Sequence, residues 1–180
     1  MIITDLQQLK IPCRNTTIKE CTELGIFLKL DAELAVSVPH GLGLAANQIS
    51  FPIRACTIHP KEKEKYEITH MINPRVYDLL LPIVSQGEGC LSIPGVRLNT
   101  NRFEQCTCTW LDYELGEEVT VVFFGLPAIV VQHEYDHTIG KTIFDRAVRT
   151  NMKVGRNDPC PNCKEVGISI KWKKCRMHNK

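Results

Sequence analysis

No window of the chain is apolar over the ~20 residues that a membrane-spanning helix requires, so no span is expected. The opening residues, Met1-Ile2-Ile3-Thr4-Asp5, hold no basic stretch leading into an apolar core, and no secretory signal is expected. Charge of one sign is scarce. The 22 Lys and Arg against 20 Asp and Glu leave a net charge of +2, too little for a field that would draw the whole molecule to nucleic acid, and DNA is not an expected partner. With 43% apolar and 23% charged residues the chain is not of a disordered class. Its length allows one cored domain and a small appendage. Nine cysteines would permit a disulfide framework, but the number is odd and three of them cluster near the C-terminus at metal-like spacing. Cys13, Cys21, Cys56, Cys106 and Cys108 lie in apolar or alternating segments and read as small buried hydrophobes. A reducing compartment is expected, cytoplasmic or within an organelle.

Chemistry is densest in Gln132-His133-Glu134-Tyr135-Asp136-His137. On a helix, His133 and His137 stand at i and i+4 on one face, so both imidazoles can reach one metal ion. Glu134 is off that line but near enough to touch a water there, as metal-assisted hydrolysis requires. The preceding run, Leu126 to Val131, is apolar, and Pro127 suits the first turn of a buried helix. HExxH supplies only two ligands, whereas a catalytic tetrahedral site takes three and a water. A cysteine between glycine and leucine is often only structural, yet Cys90, in Glu88-Gly89-Cys90-Leu91-Ser92, is the natural third ligand. Leu91 would then place its N–H beside the metal, and Gly89 would leave room for an extended substrate. Gly41-Leu42-Gly43-Leu44-Ala45-Ala46-Asn47-Gln48 is no dinucleotide fingerprint, because no strand precedes it and no third glycine comes. It reads as backbone that something approaches closely, next to one amide side chain, Gln48.

These three stretches, in the chain order 41–48, 88–92 and 132–137, resemble the motifs of the peptide deformylase family, over roughly residues 1–150. Gly140, Phe144, Asp145 and Arg146 match the family's continuation, while His40 stands where an acid is usual. The resemblance implies a hydrolase that removes the formyl group from N-formylmethionyl peptides and releases formate. It implies Fe²⁺ in the cell, with Zn²⁺ or Ni²⁺ as other occupants, held by Cys90, His133 and His137. Glu134 would be the general base, and the Gln48 side chain and Leu91 N–H would hold the oxyanion. Gly43 and Gly89 would adjoin the peptide and Arg97 would contact its backbone or carboxylate. Leu42, Leu126, Ile129 and Val130 would line a methionine pocket. Competing readings are an HExxH metallopeptidase acting on ordinary amides and a non-catalytic zinc-tailed protein that binds a ribosome or another protein.

Along the rest of the chain, Asn15, Thr16 or Thr17 can cap a helix from near Ile18 whose stripe runs through Cys21, Leu24, Phe27 and Leu28 and on to Leu34. Residues 53–59 alternate as a strand, Lys61 to Lys65 reads as a solvated tip, and Tyr66 to Ile72 returns. A turn is expected at Asn73-Pro74, then a strand over 76–84 interrupted at Pro82. Residues 106–112 and 119–124 form a hairpin around Gly116. The expected fold is α+β: antiparallel or mixed strands wrapped around the metal-binding helix, as a catalytic domain over 1–150.

Residues 151–180 form a second object. They carry eight Lys or Arg and two acids, which suggests a polyanionic partner. Cys160 and Cys163, then Cys175 and His178, supply four ligands for structural zinc, which so short a unit would need in order to fold. GRNDPCP and KWKKC resemble the SEC-C zinc motif, although the ligand spacings here are wider. That resemblance implies a protein or ribosomal partner for a zinc-ribbon-like tail.

Overall fold

The computed structural model describes residues 1–37, 41–59 and 68–148. His40, the Lys61 to Lys65 run and the whole of 151–180 lie outside these residues, so Cys160, Cys163, Cys175 and His178 receive no structural account. Among the described residues six cysteines are free, and no helix is long and apolar enough to cross a membrane.

Helix α1 (Leu6–Leu9) is capped by Asp5, whose carboxylate accepts from the Gln7 N–H. Helix α2 (Ile18–Glu23) is capped by the Thr17 hydroxyl, which accepts from the Glu20 N–H. The single helix expected beyond Ile18 is in fact two. Gly25 turns left-handed with φ 59°, and α3 (Ile26–Val36) starts on a new axis. That break turns Leu28 outward at 80% exposure while Phe27, Leu30 and Leu34 stay buried.

Strand β1 (Gly43–Ala45) leads into a 3₁₀ turn (Ala46–Ile49). Strand β2 (Ala55–Ile58) is shorter than the alternating segment and buried throughout, because both of its faces are covered. Strands β3 (Thr69–Cys90) and β4 (Ile93–Asp112) form one long hairpin, and β5 (Glu118–Phe124) follows around Gly116. The five strands pair antiparallel in chain order. Asn73-Pro74 is not a turn but a bulge inside β3. Asn73 takes φ 52°, and its side chain accepts from the Thr16 N–H and donates to the Thr16 carbonyl. Pro82 does not interrupt the strand. It pairs opposite Phe103, and since β2 covers only Thr69–Ile72, the far edge of β3 is unpaired among the described residues where a proline can stand.

Helix α4 (Gly125–Thr138) follows β5 directly, with Pro127 in its first turn, and the short α5 (Ile143–Arg146) closes the described chain. The sheet is covered unequally. On one face, Ala128, Val130 and Val131 of α4 pack with Cys56, Met71, Cys106, Cys108, Trp110 and Phe123. On the other, Phe27, Leu30 and Leu34 of α3 pack with Leu44, Ala55 and Ile72, but only at the β2 end. Leu30→Ala should therefore lower unfolding free energy by about 2–5 kcal/mol, whereas Leu28→Ala should change it by less than about 0.5 kcal/mol. Denaturant titration checks this, and equal losses would contradict the helix break.

Candidate metal centre

Helix α4 carries the first two donors. His133 and His137 lie one turn apart, with ring centroids 5.0 Å from each other. The third comes from the sheet, where the β3–β4 hairpin closes at Cys90, paired with Ile93. Its Sγ stands 3.3 Å from His137 Nε2, and one donor atom from each of Cys90, His133 and His137 lies within 4.8 Å of the others. For M–S of ~2.3 Å and M–N of ~2.0–2.1 Å, two ligands of one tetrahedral ion sit about 3.5 Å apart, so the thiol–imidazole edge fits.

A second observation also fits a cation. His133 Nδ1 is 2.7 Å from Glu88 Oε1, which leaves Nε2 for the metal and fixes the ring's orientation. Burial disfavours a charged His133, but its hydrogen bonds with Cys90 and Glu88 outweigh that and raise its pKa well above the ordinary value. The same anionic surroundings favour a cation between the two rings and the thiol. Burial, reinforced by His133 and Arg102, holds His137 in the neutral form that a ligand needs.

Glu88 is held in turn. Arg102 donates to both of its oxygens, Nη2 to Oε1 at 2.6 Å and Nε to Oε2 at 3.0 Å, and the Thr100 hydroxyl donates to Oε2 at 2.5 Å. Burial opposes ionisation of Glu88, but His133 and Arg102 win and keep its pKa far below the carboxylate range. The other side of Arg102 donates to Asp136 Oδ2 at 2.6 Å, and Asp136 also takes both Arg146 donors. Arg102 and Asp136 are each 2% exposed.

Glu134 is buried, and its Oε2 has no hydrogen-bond partner among the described residues. Burial raises its pKa to about 7. It lies against Gly43, where a Cβ would fall 2.6 Å from Glu134 Oε1. The close approach expected at Gly43 is thus made by the protein's own carboxylate. Gln48 accepts from the Ala45 N–H at 2.9 Å, which fixes its amide so that Nε2 points at Ser92 Oγ (3.1 Å) and Cys90 Sγ (3.6 Å). Asn47 donates to the His137 carbonyl at 2.9 Å and ties down the end of α4.

Cys90, His133, Glu134, Gln48 and Glu88 border one cavity of about 630 Å³. Leu42, Gly43, Gln48, Gly89, Cys90, Leu91, Arg97, Leu126, Ile129, Val130, His133 and Glu134 line it, while His137 sits behind the wall. Arg97 is exposed at the rim and donates to the Gly87 carbonyl at 3.1 Å. Sequence reasoning gave no role to Arg102, Asp136, Asn47 or the Glu88 carboxylate. Only the acids flanking the motifs hinted at them, because Arg102 is remote in sequence and reads as an ordinary strand cation.

A family model described as Polypeptide deformylase matches residues 6–153. Peptide deformylase 2 of Streptomyces coelicolor is 37% identical over 108 residues, which span 59% of this chain and 60% of that protein. A Met-Ala-Ser-bound crystal structure of a class I type b peptide deformylase from Acinetobacter baumannii is 25% identical, with a TM-score of 0.73, and the match covers 81% of this chain and 96% of that one. A peptide deformylase from Synechococcus elongatus in complex with actinonin is also 25% identical, with a TM-score of 0.74 over 94% of this chain and 86% of its own.

Glu88→Gln removes the charge that orients His133 and should weaken divalent-metal affinity by about 10–100-fold. Chelator competition measures this, and unchanged affinity would show that His133 is positioned without Glu88.

Proposed function

The chain belongs to the polypeptide deformylase family, and from that membership we propose that it hydrolyses the formyl amide of N-formylmethionyl peptides and releases formate. The observation that carries this reading is that Cys90, His133, Glu134 and Gln48 line one cavity, with His137 directly behind Cys90. A divalent ion held by Cys90, His133 and His137 would supply an acidified water near neutral pH. The donor set of one thiolate and two imidazoles suits Fe²⁺, Zn²⁺ and Ni²⁺ alike.

The chain's own groups do the rest. Glu134 takes the proton from the attacking water at its unpartnered oxygen. Oxygen adds to the formyl carbon, and the charge growing on the formyl oxygen is met by the Gln48 Nε2–H and the Leu91 N–H. The C–N bond then breaks, Glu134 returns its proton to the leaving amine, and formate departs. A fixed donor acts best when it needs no reorganisation, and Gln48 is clamped by Ala45. Leu42, Leu126, Ile129 and Val130 offer an apolar wall for the methionine side chain. Gly43 and Gly89 flank the path of an extended peptide, and Arg97 meets its backbone or carboxylate at the rim. Residues 1–150 act as the catalytic unit. Residues 151–180 are proposed as a SEC-C-like appendage whose Cys160, Cys163, Cys175 and His178 hold structural zinc, with a ribosomal or protein partner.

Formate release from formyl-Met-Ala-Ser by anaerobically purified protein tests the activity, and hydrolysis of an N-blocked peptide without formyl would overturn it. Glu134→Ala should keep the metal and lose about 10²–10⁴-fold in kcat. Gln48→Ala should lose about 10²–10³-fold. Cys90→Ala should lose both metal and turnover. Two metals per chain would support the tail zinc, and one would remove it.

A further inference from the structure

Among the described residues, one face of the sheet is left uncovered where its sequence is most apolar. Tyr77 of β3 pairs with Thr107 of β4, which pairs with Val122 of β5. Leu80 pairs with Gln105, which pairs with Phe124. Residues directly opposite share a face, and these two rows are two residues apart along β4, so Tyr77, Leu80, Val122 and Phe124 form one patch. They are 42%, 51%, 45% and 53% exposed. Val84, two pairs further along β3 on the same face, is 45% exposed. The opposite face at the same rows is core: Val76, Cys106, Cys108 and Phe123 pack there under α4. The runs Val121–Phe124 and Leu79–Leu81 are apolar at consecutive positions, which is the pattern of strands buried on both sides. Helix α3 covers this face only at the Ile72 and Leu111 end. These apolar side chains flank Thr107 and Gln105, and so many exposed on one face mark it as a docking surface.

The chain itself carries a cover for it. In Val166-Gly167-Ile168-Ser169-Ile170-Lys171-Trp172-Lys173, Val166, Ile168, Ile170 and Trp172 alternate with Gly, Ser and Lys. That period of two gives one apolar edge and one polar edge, and a unit of about 30 residues has no core of its own in which to bury it. The described chain ends beside the same sheet, with Ala147 bridged to Thr100 and the Val148 N–H donating to the Asn99 carbonyl. From Asn99 to Gln105 along β4 is about 20 Å at ~3.3 Å per residue, and the residues between Val148 and Val166 reach more than twice that. This stretch lies beyond the family match, which ends at residue 153.

We propose that residues 166–172 of this chain dock, within one molecule, on the open face formed by Tyr77, Leu80, Val122 and Phe124. Attachment to the same chain makes the encounter intramolecular and independent of protein concentration. The inference rests neither on the deformylase reading nor on tail zinc.

Hydroxyl-radical footprinting of the full chain tests it, read at Tyr77, Leu80 and Phe124 over a dilution series. Low labelling that rises severalfold in Ile168→Asp/Ile170→Asp, at every dilution and with a one-chain mass by sedimentation, is the expected result. A reciprocal variant, Phe124→Lys, should increase acrylamide quenching of Trp172 severalfold while the buried Trp110 is unaffected. Heavy labelling of the three side chains in the unaltered chain would overturn the proposal. So would protection that the tail substitutions leave in place, or protection that fades on dilution with a two-chain mass, which would make a second copy the cover.

Discussion

The site depends on a guanidinium that water does not reach. Arg102 lies between Glu88 and Asp136, and all three are joined in the interior where an unpaired charge would be severely destabilising. Glu88 is on β3, Arg102 on β4 and Asp136 on α4, so one side chain ties the hairpin to the helix. The two histidines and Cys90 meet because those two elements are locked in register. The hydrogen bond from Glu88 to His133 extends the same chain of charges to the donor atoms. Geometry and electrostatics have one origin here, since the groups that orient His133 also make its surroundings anionic.

Much of this is legible in the sequence. The i, i+4 spacing of His133 and His137 predicts a shared helical face, and α4 provides it. The need for a third donor points to Cys90, and the hairpin brings it there. Residues named as candidates from remote parts of the chain line one cavity. What escaped was set by tertiary context. Gly25 breaks a helix whose apolar stripe reads as continuous. Asn73-Pro74 carries turn residues, yet the Asn73 amide clasps the Thr16 backbone and the strand runs on. Arg102 shows nothing in sequence to mark it as buried.

Gly43 shows how a correct reading can have an unexpected cause. Its lack of a side chain does permit close approach, but Glu134 fills that space. The loop thus shapes the pocket of the buried carboxylate as well as bordering the cavity. Gln48, a few residues on, is fixed by the Ala45 backbone in the same loop. A short glycine-containing stretch therefore sets the positions of two groups that line the same cavity.

The distribution of the donors along the chain also has a consequence in time. Cys90 and His137 are 47 residues apart, and Gln48 and Cys90 are 42 apart. None of these contacts is local, and α4 is made only after every strand that it packs upon. Until the helix closes over the sheet, Cys90 is one thiol among many and has no imidazoles beside it. The three donors come together only where helix and hairpin meet, so an ion held by all three would bind the assembled pair and not its parts. An ion that binds only the completed arrangement would draw the folding equilibrium toward it, so the proposed metal would also help to hold the fold.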